Sequence, residues 1–135
     1  HLSLRRQRQM CIRAGNILLI GIAGILGALL RYEISNVINK QSESHFPSAT
    51  MTINIIGSIL IGIVMGLNLD NKLVIILSVG FIGSFTTFST FIKESFSLVR
   101  ERNIPLFLKY LCFSYVISII GCFLSIITTQ YFISK

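Results

Sequence analysis

The 135-residue sequence has no tryptophan and only five acidic residues. Charged side chains are absent from four long stretches, residues 14–30, 46–69, 73–92 and 110–134. Proton-coupled transport usually needs a titratable group at membrane depth, and the nearest carboxylates, Glu33 and Glu94, lie near the ends of apolar stretches. This scarcity favours a passive path over a proton-driven pump.

Residues for catalysis or metal binding are also scarce. No nucleophile, base and orienting group converge in the sequence, and no metal-ligand cluster is present. Cys11, Cys112 and Cys122 are odd in number and lack pairing or metal spacing, so we interpret them as packing residues. We therefore expect a protein that is not an enzyme.

What is present is apolar. Apolar residues make up 53% of the chain and charged residues 13%, and the mean hydropathy is +0.77. Each charge-free stretch is near the roughly 20 residues that a membrane-spanning helix needs. The sequence predicts an all-α, multi-pass protein of the cell membrane with four transmembrane helices. We expect residues 1–15 to be a basic tail, of which 1–9 precede Met10 as an extension or expression remnant, and residues 16–135 to be one four-helix domain.

The net charge of +7 does not indicate nucleic-acid binding, because the basic residues lie in the tail and between the spans. Six Lys and Arg residues lie on one predicted side of the membrane and six on the other. Without residues 1–9 the two counts are three and six. Neither count fixes an orientation by the positive-inside rule. The sequence is compatible with a chain that inserts both ways round.

The third stretch contains GFIGSFTTFSTF over residues 80–91, with four Phe, two Gly and several hydroxyl residues. Such a composition is typical of a helix that is interrupted at membrane depth, where freed backbone groups need partners. A tight helix-packing face is the alternative, because small residues are common there.

Each polar side chain in the other spans has two interpretations, a structural role or a role in an ion path. Arg31 either extends to the interface or guards an anion path. Asn54 either bonds another helix or donates an N–H to a dehydrated anion. Hydroxyl residues of the fourth span are either helix-helix contacts or a polar rail for an ion. Together with Gly121 they are spaced by three or four residues and share one helical face: Tyr110, Ser114, Ser118, Ser125 and Thr128.

Three segments together resemble the Fluc, or CrcB, fluoride channels: GIAGILGALLRY (21–32), TMTINIIGSILIG (50–62) and GFIGSFTTFSTF (80–91). The resemblance implies a fluoride-selective channel that exports cytoplasmic fluoride and reduces its toxicity. It also implies a broken third helix and an antiparallel, dual-topology dimer, formed by two identical copies or with a paralogue.

The resemblance assigns roles by position. Asn54 matches the pore asparagine, and Phe88 and Phe91 match paired phenylalanines whose ring edges face the ion. Arg31 and Glu94 match vestibule residues. The remaining expected pore residues are Thr50, Ser89, Thr90, Tyr110, Ser114 and Ser118.

A structural sodium ion at the dimer centre is implied as well, held by the backbone carbonyls of Gly83 and Thr86. This chain has Ser84 and Phe85 where a second glycine and a smaller aliphatic residue are common in the family. The alternative function is a small four-span drug or cation exporter, for which a carboxylate in the first span would be expected; none precedes Glu33.

Overall fold

The computed structural model of the chain describes residues 2–41 and 46–135. All regular structure in these ranges is helical, and four helical segments are long and apolar enough to cross a membrane. The predicted all-α protein with four spans is confirmed. We label the helices α1 (Leu2–Gln41), α2 (Ser48–Gly66), α3 (71–85), α4 (Phe88–Arg100) and α5 (Ile104–Ile133).

The third span consists of two helices, α3 and α4, separated by two extended residues. Within α3, Asn71–Ile75 is α-helical, Ile76–Ile82 is π-helical and Gly83–Phe85 is α-helical again. A π-helix has hydrogen bonds that reach five residues back and is often found at functional sites. The interruption predicted from the composition of residues 80–91 is therefore present.

The helices extend beyond the charge-free stretches that predicted them. The first stretch, residues 14–30, is part of the longer α1, which continues to Gln41, and residues 42–45 lie outside the described ranges. Between the third and fourth stretches, residues 93–109 are helical except for residues 101–103.

Local hydrogen bonds explain why the connection at residues 101–103 is so short. Arg102 has a positive φ of 56°, and its N–H donates to the Val99 carbonyl at 3.0 Å. The N–H of Asn103 donates to the Leu98 carbonyl at 3.0 Å, which completes a Schellman motif. The Asn103 side chain then accepts from the Leu106 N–H at 3.4 Å and caps α5.

Glycines set how closely the helices approach. Added Cβ atoms at Gly27 and Gly80 would collide with the backbones of α3 and α1 respectively, so these helices pack backbone to backbone. Gly62 and Gly66 do the same for α2 against α5. Gly21, Gly24 and Gly27 recur every three residues along α1 and form a glycine stripe. A Cβ added at Gly21 nevertheless meets nothing within 4 Å. The break in the third span lies between the two packed pairs, beside the middle of α2.

Candidate functional site

The break in the third span is fixed by the side chain of Asn54. Thr86 and Thr87 have extended backbones (ψ 159° and 120°). The amide Nδ2 of Asn54 donates to the Thr87 carbonyl at 3.0 Å, and the Thr87 N–H donates to Asn54 Oδ1 at 2.9 Å. One amide therefore bonds both backbone groups of Thr87 at the break between the two helices, where freed backbone groups need partners at membrane depth.

The other groups at the break are held from α1 and α2. The Nη1 of Arg31 donates to the Thr86 carbonyl over 3.5 Å, the limit of a hydrogen bond. A Cβ at Gly57 would overlap the methyl group of Thr86, so α2 can approach the break only because this residue is glycine. Thr87 caps α4, since its Oγ1 accepts from the Thr90 N–H at 3.4 Å.

Backbone carbonyls at the break are suited to a cation. In a continuous helix the Thr87 N–H would donate to the Gly83 carbonyl, but here it donates to Asn54. Gly83 and Thr86 both line a cavity of about 410 Å³, which we call the break cavity. Carbonyl oxygens at the C-terminal end of a half-helix favour a hard cation. The described residues contain no group of three or more His, Cys, Asp or Glu side chains that could hold a metal.

A second cavity, of about 250 Å³, brings together pore residues predicted from three different spans. We call it the serine cavity. It shares Asn54, Ser58 and Phe88 with the break cavity, so the two are neighbours. The complete lining of the serine cavity is Asn54, Ser58, Phe88, Phe91, Ser114, Tyr115 and Ser118.

The two predicted phenylalanines stand side by side at this cavity. Their ring centroids are 6.3 Å apart with planes inclined by 27°. They differ in burial: Phe88 is 68% exposed and Phe91 is 5% exposed. Phe91 also packs on Tyr110, at 5.0 Å between centroids. The residues do share one face, as their spacing predicts, but only Phe88 has a free ring surface in the single chain.

A third cavity, of about 320 Å³, collects the residues expected on the Arg31 side. We call it the vestibule. It meets the break cavity at Thr87, which lines both. Its lining includes four predicted residues, Arg31, Thr50, Ser89 and Thr90.

Glu94, predicted as a vestibule residue, does not line that cavity but accepts hydrogen bonds from two other predicted residues. Thr50 Oγ1 donates to Glu94 Oε1 at 2.8 Å, and the Tyr110 hydroxyl donates to Glu94 Oε2 at 2.9 Å. The Tyr110 ring is fully buried. The polar rail predicted on α5 is therefore divided, because Tyr110 lies against Glu94 whereas Ser114 and Ser118 line the serine cavity.

The hydroxyl groups of α5 differ in their partners. The buried Oγ of Ser114 has no hydrogen-bond partner. Ser125 and Thr128, further along the same face, donate to carbonyls of their own helix at 2.8 and 2.6 Å. Ser125 and Thr128 therefore bond within their own helix, while Ser114 retains a free donor beside the cavity that it lines.

Several lining residues were not among the sequence candidates, and the most informative of them are Ser58, Thr87 and Tyr115. Ser58 lies one helical turn after Asn54, so its position on the same face was available from the spacing. Thr87 is important through its backbone, which a sequence does not reveal. Nothing in the sequence pattern distinguishes Tyr115 from the lipid-facing aromatic residues of α5.

The chain is similar to known proteins over most of its length. Residues 18–126 match the family model described as CrcB-like protein, Camphor Resistance (CrcB). The chain is 41% identical over 107 residues to a protein named fluoride-specific ion channel FluC 2 from Bacillus thuringiensis subsp. konkukian, covering 79% of this chain and 91% of the relative. It is 43% identical over 109 residues to FluC 1 of Listeria monocytogenes serovar 1/2a, covering 81% and 92%.

Proposed function

The chain belongs to the CrcB family, and from this premise we propose that it is a fluoride-selective ion channel of the cell membrane. It lets cytoplasmic fluoride leave down its electrochemical gradient. It is a multi-pass membrane protein and not an enzyme. The observation that carries the proposal most directly is the serine cavity, where Asn54, Phe88 and Ser114 from three spans meet.

We assign the ion path to the sequence of cavities that share residues. The vestibule meets the break cavity at Thr87, and the break cavity meets the serine cavity at Asn54, Ser58 and Phe88. In this assignment Arg31 attracts the anion at the vestibule, and the ion then passes the amide of Asn54. Asn54 Nδ2 has two hydrogens and uses one for Thr87, which leaves one for the ion.

The chemistry along this path suits fluoride. A small, strongly hydrated anion must exchange water for N–H and O–H donors without a fixed charge that would trap it. The unpartnered hydroxyl of Ser114 and the hydroxyl of Ser118 supply such donors. An aromatic ring has a positive edge, so Phe88 and Phe91 can contact the anion weakly enough for it to move on.

We propose that a second copy completes the path, in an antiparallel dimer. Gly83, Phe88, Ser89 and Thr90 are exposed in the single chain, around a break that lies within the third span. Lipid cannot satisfy non-helical backbone or hydroxyl groups in the hydrocarbon region. Protein must therefore cover this face, and a distribution of Lys and Arg that fixes no orientation is compatible with a copy inserted the other way round or with a closely related paralogue.

We further propose that this dimer holds a sodium ion through the carbonyls of Gly83 and Thr86. The support is that the Thr87 N–H is withdrawn from Gly83 and that both residues line the break cavity. When bound, the ion would supply a positive charge near the anion path. Ser84 and Phe85 do not interfere, because ligation by carbonyls requires no particular side chain.

An efflux assay tests the function. The purified protein is reconstituted into liposomes loaded with fluoride or with chloride, and release is followed with an ion-selective electrode after a potassium ionophore is added. Rapid fluoride release with chloride retained is the expected result. Equal release of both anions, or of neither, would overturn the proposal, and empty liposomes measure the background leak.

A further inference from the structure

Tyr115 of α5 and Phe91 of α4 form a partition between two cavities. Their rings are perpendicular, with an interplanar angle of 89° and centroids 5.7 Å apart. Both residues line the serine cavity on one side. On the other side both line a cavity of about 200 Å³, here named the apolar cavity, whose other residues are Ile92, Ser95, Phe96, Val99, Phe107 and Leu111.

The Phe91 ring contacts three aromatic side chains that differ in how deeply they are buried. Tyr110, at 5.0 Å between centroids, is fully buried and its hydroxyl is bonded to Glu94. Phe88, at 6.3 Å, is largely exposed. Tyr115 is the aromatic contact that borders both cavities together with Phe91. Part of the Phe91 ring borders the apolar cavity, so without Tyr115 fewer packed atoms keep the ring out of that cavity.

We propose that Tyr115 is a positioning residue for conduction: it holds the Phe91 ring at the edge of the serine cavity and separates that cavity from the apolar one. The inference rests on the proposed function, because it assigns Phe91 to the fluoride path. The ring of Tyr115 performs this role, and its hydroxyl is dispensable.

The test compares two substitutions at this position. Tyr115→Leu removes the ring and keeps much of the volume, and we expect fluoride efflux to fall about tenfold, the scale set by one aromatic pair. Tyr115→Phe keeps the ring, and we expect efflux within about twofold of the original, since the pair is retained. Both variants are compared at equal reconstituted amounts after size-exclusion chromatography.

Tyr131→Leu is the matched control. Tyr131 lies on the same helix, is similarly exposed (59% against 47% for Tyr115) and also packs edge-on against a phenylalanine, Phe132. It lines neither the serine cavity nor the apolar cavity. We expect its efflux to be unchanged, so that a general effect of losing an exposed tyrosine ring is accounted for.

A second measurement reports on Phe91 without relying on conduction. With 4-fluorophenylalanine at position 91, the fluorine resonance should shift or broaden on Tyr115→Leu and stay unchanged on Tyr115→Phe and Tyr131→Leu. If Tyr115→Leu does not yield a monodisperse protein, Tyr115→Met takes its place in both measurements.

The outcomes separate the inference from the function on which it rests. If the original protein releases no fluoride, the proposed function fails. If the original conducts and Tyr115→Leu conducts equally well, the positioning role is wrong. Loss of efflux in Tyr115→Phe as severe as in Tyr115→Leu would also overturn the inference, because the hydroxyl would then be required.

Discussion

Asn54 and Thr87 exchange two hydrogen bonds, at 3.0 and 2.9 Å, between the middle of α2 and the break in the third span. Both polar atoms of one side-chain amide are therefore committed to the backbone of a single residue. The two readings of Asn54, as a link between helices and as a donor to an anion, are consequently compatible. The first fixes the amide in place and leaves the remaining Nδ2 hydrogen for the second, which belongs to the proposed function.

This pairing predicts a double effect of Asn54→Leu. Fluoride efflux should be abolished, because the donor is lost. Thermal stability should also fall, because leaving the two Thr87 backbone groups unsatisfied costs about 1–3 kcal/mol each. Efflux and a melting curve on the same purified sample measure both effects.

Asn54→Asp keeps the acceptor and removes the donor. An ionised aspartate can still accept from the Thr87 N–H but places its other oxygen against the Thr87 carbonyl without a hydrogen to donate, so efflux should be lost and the melting temperature should fall as well. Asn68→Leu, in the exposed connection after α2, is the control and should leave both unchanged. Normal efflux through a stable Asn54→Leu protein would remove Asn54 from the path.

A second prediction concerns the paired phenylalanines. Phe88→Ile and Phe91→Ile retain hydrophobicity but remove the positive ring edge, so fluoride efflux should fall at least about tenfold while the protein stays folded. Phe96→Ile is a close control for Phe88→Ile, because the two rings are 71% and 68% exposed. Phe81→Ile, at a ring stacked on Phe85, is a further control. Equal losses of fluoride efflux in all four variants would indicate that Phe88 and Phe91 only contribute to packing.

The Glu94 contacts predict a coupled network. Thr50→Val and Tyr110→Phe each delete one donor to the same carboxylate, and each should lower stability by about 1.5–3 kcal/mol, the range for hydrogen bonds to charged groups. In a double-mutant cycle the two losses should not add, because both donors orient one side chain. Strict additivity in chemical denaturation would contradict a shared role for Glu94.

Dual topology predicts labelling from both sides of the membrane. A single cysteine at Gln41, exposed at the end of α1, is introduced after Cys11, Cys112 and Cys122 are replaced by serine. An impermeant thiol reagent should modify part of the population from outside and the rest only after permeabilisation. Modification from one side alone would exclude the dual-topology homodimer and leave a paralogue pair.

The glycine stripe of α1 supplies a matched pair for stability. A Cβ at Gly27 would collide with the carbonyl of Phe81, whereas a Cβ at Gly21 meets nothing within 4 Å. Gly27→Ala should therefore destabilise the fold by about 1–3 kcal/mol, the usual range for overpacking, and Gly21→Ala should be neutral or slightly stabilising. Equal melting temperatures for the two variants would contradict the close contact between α1 and α3.

The number of spans followed from the sequence because charge is excluded from a bilayer over a definite length, which charge-free stretches report directly. The break within residues 80–91 was also predictable, since Gly, Ser and Thr cluster there. Its hydrogen bonds were not, because the pairing of Asn54 with Thr87 joins residues 33 positions apart through backbone atoms. The same holds for Glu94, whose two donors come from α2 and α5.

Which polar residues share a cavity was only partly predictable. Ser114 and Ser118 lie beside Asn54 and the phenylalanines, as a continuous rail on α5 would require. Tyr110, one turn earlier on the same face, instead donates to Glu94. Helical spacing gives the face on which a side chain lies, but the opposite helix decides what that side chain contacts.

The π-helical segment Ile76–Ile82 lets the third span hold one residue more than a continuous α-helix would at the same place. A π-helical hydrogen bond reaches five residues back, whereas an α-helical bond reaches four, so each π turn is wider by about one residue. Deleting one residue here and allowing the segment to relax into an α-helix would therefore leave Asn71–Ile75 facing nearly the same neighbours relative to Thr86 and Thr87. Homologous channels that lack one residue in this segment would keep both the break and the side chains presented on either side of it.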